Sequence, residues 1–225
     1  SVLIHIDFSF DSQKLGGSAL AQSLDRIGSD VPTVKNPEYF ADAFNAVQKL
    51  IDKRQVLAGH DISAGGLVVT LLEMCFANPQ GGLEVSLDKL TGKDLTSMLF
   101  AENPGVVLQV ESKKLDAVSS YLDEAGVGYA VIGRPADART LYIRRGKKDI
   151  TIDIDKMRDL WYKTSYLLDR KQSFNGCADK RYKNYSKQPM DIKIAYNFTG
   201  KLSQFGLDPD RRTPSGVKAA IIREK

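Results

Sequence analysis

An aspartate, a serine and a glycine pair lie close together in Gly59-His60-Asp61-Ile62-Ser63-Ala64-Gly65-Gly66, where an apolar strand-like run, Val56-Leu57-Ala58, gives way to a helical pattern. If the chain stays extended through this stretch, Asp61 and Ser63, two residues apart, project to the same side. A carboxylate is a preferred ligand of Mg2+, which is commonly shared with the phosphates of a substrate. The Ser63 hydroxyl can donate to a phosphate oxygen. Gly65 and Gly66 lack a Cβ, so backbone N–H groups at the start of the helix can approach an anion closely. These parts suit a magnesium-nucleotide site. They equally suit a helix cap and a turn, and the Lys-Ser/Thr ending of a Walker loop is missing. The residues alone leave both readings open.

Other polar residues carry weaker signals. Gly16-Gly17-Ser18-Ala19 is a second glycine turn ahead of a helix, with Ser18 as its cap. Glu102, in Phe100-Ala101-Glu102-Asn103-Pro104-Gly105, can reach a ligand or stand as a solvated turn carboxylate. His60 reads as a structural hydrogen-bonding residue, and His5 has no evident chemistry. Cys75 and Cys177 match no metal spacing and have no His nearby, so neither is expected to act as a nucleophile. Two such cysteines suit a reducing, cytoplasmic setting.

The elements that must position these residues alternate strand and helix. Strands are expected over Val2 to Ser9, Val56 to Ala58, Leu83 to Leu87, Val106 to Val110 and Tyr129 to Ile132, with a hairpin from Leu141 to Ile152 across Gly146-Lys147. Helices are expected over Ala19 to Ile27, from Asn36-Pro37 to Ile51, after Gly66, over Leu95 to Phe100, over Lys113 to Ala125 and around Met157 to Leu168. The order implies an α/β sandwich, a mixed sheet with flanking helices, over 1–153. A helix and an extended linker follow over 154–216, since periodicity fades after Lys171.

With 225 residues, 42% hydrophobic and 27% charged, the composition is that of a globular protein. The formal net charge of +4 is mild. Basic runs such as Arg144-Arg145 come without a nucleic-acid module, and no apolar run is long enough to span a bilayer. Neither nucleic acid nor membrane is an expected partner. The first residues read as a strand with no secretory leader, and both ends read as cut from something longer.

Taken together, Leu15-Gly16-Gly17-Ser18-Ala19-Leu20-Ala21-Gln22, Gly59 to Leu67, Leu71-Leu72-Glu73-Met74 and Leu99-Phe100-Ala101-Glu102 resemble the C-terminal domain of the aminoimidazole ribonucleotide synthetase superfamily. They are most similar to the second such domain of the large single-chain formylglycinamidine ribonucleotide synthases. Leu160 to Tyr166 resembles the connecting helix of that family. Residues 217–225 resemble the first strand of its glutaminase domain. The resemblance implies a fragment, inactive alone, of an ATP-dependent ligase that uses glutamine to convert formylglycinamide ribonucleotide. Its partners would be the synthetase halves and glutaminase domain of the same chain. It implies Mg2+ and ATP or ADP as ligands, Asp61 on the metal, Ser63 with Gly65 and Gly66 on the nucleotide of an auxiliary site, and Glu102 as a possible ligand contact. The family's usual acidic residue after the serine is replaced by Ala64, and its usual acidic residue after Glu102 by Asn103.

Overall fold

The computed structural model describes residues 1–187, 193–208 and 210–213. The chain forms two units, Ser1–Pro189 and Met190–Lys225. The first is built on a seven-stranded sheet in the order β2-β4-β1-β5-β3-β6-β7. The strands are β1 (Val2–Asp7), β2 (Val56–Asp61), β3 (Gly82–Ser86), β4 (Gly105–Val110), β5 (Tyr129–Ala136), β6 (Thr140–Arg145) and β7 (Lys148–Asp153). Only the β3–β6 pairing is parallel, so the sheet is mixed, as the alternation of elements led us to expect.

Both faces of the sheet are covered, because successive residues of one strand point to opposite sides. On β1, Ile4 and Ile6 meet Ala43, Val47 and Leu50 of α2 (Pro37–Asp52) and Val118 and Leu122 of α5 (Leu115–Glu124). Leu3 lies in the opposite layer with Leu67, Leu71 and Leu72 of α3 (Gly66–Phe76) and Met98 and Leu99 of α4 (Leu95–Phe100). Leu3, Ile4, Ile6, Leu50, Leu71 and Leu122 are fully buried. Each contributes about 1.5–3 kcal/mol through the area removed from water. Local signals fix the helix starts. Asn36 accepts from the Tyr39 N–H ahead of Pro37, and Asp94 accepts from the Ser97 N–H.

Two stretches differ from the sequence expectation. The helix α1 spans only Ala19–Ser23, not as far as Ile27. Asp25 and Gly28 take positive φ, and Leu24 and Ile27 are 60% and 62% exposed, so no apolar face was available to prolong it. Beyond Lys171, where no element was expected, α7 (Cys177–Asn184) packs on α6 (Ile154–Gln172). Tyrosines hold the pair together: Tyr166 stacks on Tyr182 at 4.2 Å and Tyr162 meets Tyr185 at 4.3 Å. The period of α7 was hidden by its polarity, since its contacts are made by amphipathic rings.

The helix α6 continues directly from β7. Ile154 is fully buried, and Trp161 meets Phe76 of α3 at 5.5 Å between ring centroids. In the second unit, Tyr196, Phe198 and Phe205 form a small ring cluster around a 3-10 turn over Leu202–Phe205. The expected start of a further domain over 217–225 lies outside the described residues.

Candidate functional site

The edge strand β2 pairs with β4 up to Asp61 opposite Val106, and the Ile62 N–H extends the ladder to the Gly105 carbonyl at 2.8 Å. Ile62 packs against the core, while Asp61 and Ser63 on either side of it are exposed. The Asp61 side chain is 73% exposed, with His60 Nδ1 3.5 Å from its carboxylate. The Ser63 hydroxyl has no hydrogen-bond partner among the described residues. The backbone of Asp61 is held firmly by comparison. Its carbonyl accepts from the Thr70 hydroxyl at 3.0 Å and lies 2.8 Å from His60 Nδ1.

The turn into α3 requires its glycines. Gly65 and Gly66 have φ of +91° and +70°. A Cβ on Gly66 would stand 2.7 Å from the Leu99 oxygen and 2.8 Å from the Ala101 oxygen. Only a residue without a side chain lets the start of α3 run this close to the backbone leaving α4. Both N–H groups are donated within the chain: Gly66 to the Ser63 carbonyl at 2.9 Å, Gly65 to Glu102 Oε1 at 2.8 Å.

That same Glu102 oxygen accepts from the Ala19 N–H at 2.7 Å. One carboxylate oxygen thus joins the two glycine turns that the sequence singled out separately. The neighbouring Asn103, buried, donates to the Ser9 hydroxyl at 3.0 Å and the Ser12 carbonyl at 3.2 Å. Ser18 caps α1 as expected, accepting from the Ala21 N–H and donating to the Leu15 carbonyl. Residues 9–19, 62–66 and 101–105 are therefore tied together at one end of the sheet.

His60 bridges outward from this cluster. Its Nε2 lies 3.3 Å from Glu73 Oε2 on α3, and Glu73 Oε1 accepts from the Trp161 indole at 2.8 Å on α6. Its part is structural, as expected. Cys75 is buried, and burial pushes its thiol up to about 11, which makes it a poor nucleophile at neutral pH.

On the inner side of the same strand end lies a cavity of about 940 Å³, lined by Ile62, His5, Asp7, Tyr39, Lys93 and Asn103 among others. Asp61, Ser63, Gly65, Gly66 and Glu102 are not in its wall. Burial lowers the His5 ring to about 4, the nearby Asp7 carboxylate partly opposing this, so the imidazole facing the cavity is neutral. The sequence offered only a lone histidine on a strand, and its position becomes visible through packing alone. Asp11, also in the wall, has a carboxyl held far below the usual range by Lys35 and Lys14, at 2.7 and 3.0 Å.

A hard oxygen donor such as Asp61 fits Mg2+. Among the described residues no group of three or more His, Cys, Asp or Glu side chains is placed to hold a metal. Within residues 59–66 the chain offers one carboxylate, the exposed Asp61, with an exposed hydroxyl, Ser63, two residues on. Also among the described residues, no helix is long and apolar enough to cross a membrane.

Residues 3–145 match the model of the family described as AIR synthase related protein, C-terminal domain. A probable phosphoribosylformylglycinamidine synthase, chloroplastic/mitochondrial, from Arabidopsis thaliana is 38% identical over 229 residues, covering 100% of this chain and 16% of that protein. The Homo sapiens phosphoribosylformylglycinamidine synthase is 36% identical, covering 78% of this chain and 13% of its own length. The chain thus spans a small part of these curated relatives. Among solved structures, T. maritima PurL complexed with FGAR superposes with a TM-score of 0.56 at 14% identity, over 70% of this chain and 27% of that one. At that identity the likeness speaks for the fold.

Proposed function

The chain belongs to the AIR synthase related protein C-terminal domain family, and on that premise we propose that it is one domain of a phosphoribosylformylglycinamidine synthase, contributing part of a Mg2+-nucleotide site. The whole enzyme would convert formylglycinamide ribonucleotide, ATP and glutamine to formylglycinamidine ribonucleotide, ADP, phosphate and glutamate. The remaining synthetase and glutaminase domains would lie on the same long chain, and this domain alone would not turn over. Its two free thiols suit the reducing cytoplasm.

One observation carries the site assignment: Asp61 and Ser63 stand exposed on one side of a strand end, with Ile62 between them turned into the core. Asp61 would hold Mg2+ by one carboxylate oxygen, and Ser63 would donate to the nucleotide phosphates. Gly65 and Gly66 would serve the nucleotide by letting α3 start close against the backbone of residues 99–101, which sets the turn that presents Asp61 and Ser63. The metal, when bound, would neutralise phosphate charge. With a single acidic ligand supplied here, the other ligands would come from another domain, as suits an auxiliary nucleotide site.

The test is the nucleotide content of the full-length chain. ADP or ATP released from the purified, denatured protein is measured for the parent and for Asp61→Asn. The proposal expects the variant to lose at least about nine-tenths of its nucleotide. An unchanged content would overturn the assignment. The poverty of acidic ligands also supports a second reading, a non-catalytic scaffold domain. Absence of nucleotide and Mg2+ from the purified parent would favour that reading.

A further inference from the structure

We infer that Glu102 is a positioning residue that shapes the Asp61–Gly66 turn from within, and that its carboxylate fills the anion position between the two glycine turns. The inference rests on the proposed nucleotide site and specifies how that site is held. Glu102 Oε1 accepts from the Ala19 N–H at 2.7 Å and the Gly65 N–H at 2.8 Å, lengths typical of charge-assisted bonds. Ala19 is the first residue of α1 and Gly65 the N-cap of α3, whose own residue supplies no capping side chain. A residue more than eighty positions from Ala19 thus caps both elements.

Two consequences follow from the chemistry. First, Gly65 and Gly66 have given both N–H groups to Glu102 and Ser63, so neither is free for a phosphate. A phosphate placed at this turn would also face the Glu102 carboxylate at close range. Ligand phosphates are therefore directed to the outer side of the turn, towards Ser63 and the metal at Asp61. Second, Gly65 and Gly66 bring no side chains, so beyond Ile62 the turn has little side-chain packing of its own. The Glu102 bonds and the backbone of residues 99–101 define its shape. Loss of the carboxylate should loosen the segment carrying Asp61 and Ser63 while the sheet and both core layers stay intact.

The test uses the full-length chain and the affinity of the nucleotide-stripped protein for Mg2+·ADP. Gln at position 102 keeps an oxygen that accepts both N–H groups, so Glu102→Gln should bind within about threefold of the parent. Glu102→Ala should bind at least tenfold more weakly, and sodium formate, replacing the missing carboxylate, should restore it where equal sodium chloride does not. Formate should leave Asp61→Asn unrescued. Ala19→Pro removes one of the two donors and places the ring Cδ where the Glu102 oxygen lies, so it displaces the carboxylate and should weaken binding at least tenfold. That variant and Glu102→Gln decide the matter if Glu102→Ala does not fold.

Equal losses in Glu102→Gln and Glu102→Ala, or unchanged affinity in Ala19→Pro, would overturn the inference. So would unchanged affinity in a folded Glu102→Ala, or its failure to respond to formate. An Asp61→Asn protein that binds normally would instead overturn the site assignment beneath it, so the two failures are distinct.

Discussion

The Trp161 indole N–H donates to the Glu73 carboxylate at 2.8 Å, joining α6 to α3 one residue pair away from the strand that carries Asp61. The bond is local in space but spans 88 residues in sequence, and it makes α6 part of the layer that supports the site.

Trp161→Phe removes the donor and keeps an aromatic ring beside Phe76. We expect a loss of about 1 kcal/mol, below the usual worth of a hydrogen bond to a charged group because the indole is half exposed. Trp161→Ala also removes the ring contact and should cost about 2 kcal/mol. Urea unfolding midpoints at constant slope check both values. An unaltered Trp161→Ala midpoint would show that the Trp161 contacts contribute nothing to the stability of this layer.

Gly66→Ala and Gly126→Ala separate two penalties. Both glycines have φ near +70°, at +70° and +68°. A Cβ on Gly126 meets nothing within 4 Å, whereas on Gly66 it meets backbone oxygens of residues 99 and 101. Gly126→Ala should cost about 1 kcal/mol from conformation alone. Gly66→Ala should cost about 2–4 kcal/mol, because the facing backbone must also move. Thermal melting of the two variants side by side reads the difference.

Asp11 is expected to make the fold acid-sensitive. Lys35 and Lys14 depress its carboxyl in the folded state, so its contribution is present above about pH 4, the unfolded carboxylate range, and is lost as pH falls below that. Asp11→Asn should destabilise the protein at pH 7 and flatten the decline in urea midpoint below pH 4. A decline as steep as the parent's would contradict this.

His5 should titrate near 4 in the folded protein, against 6.5 for a free imidazole, because burial disfavours the charged ring. Its neutral form stabilises the fold fully above pH 6.5, and that contribution is lost as pH falls towards 4. The ring proton shifts in an NMR titration report the midpoint directly. A midpoint near 6.5 would mean that the ring is solvated and the cavity open to bulk water on that side.

Much of this architecture was legible in the residues. The 3.6-residue period of α2 and the two-residue period of β1 identify the layers, because each must bury one face against the other. The exposed pair Asp61 and Ser63 followed from the alternation around Ile62. Other features depend on contacts between distant residues. Glu102 reads locally as a turn carboxylate, and nothing near it in sequence announces that Ala19 and Gly65 are its donors. The segment after Gln172 looks structureless because its helix is held by tyrosine rings and ion pairs, not by an aliphatic stripe. The wall of the cavity facing His5 is drawn from segments far apart in sequence, among them residues 11–15, 89–94 and 128–130, which no local pattern encodes.

The most direct test is a crystal structure of the full-length chain grown with Mg2+ and ADP. The account predicts a Mg2+ ion about 2.0–2.1 Å from an Asp61 carboxylate oxygen, with the Ser63 hydroxyl bonded to an ADP phosphate and Glu102 still on the Ala19 and Gly65 N–H groups. A metal and nucleotide bound with Asp61 and Ser63 out of contact with either would contradict it.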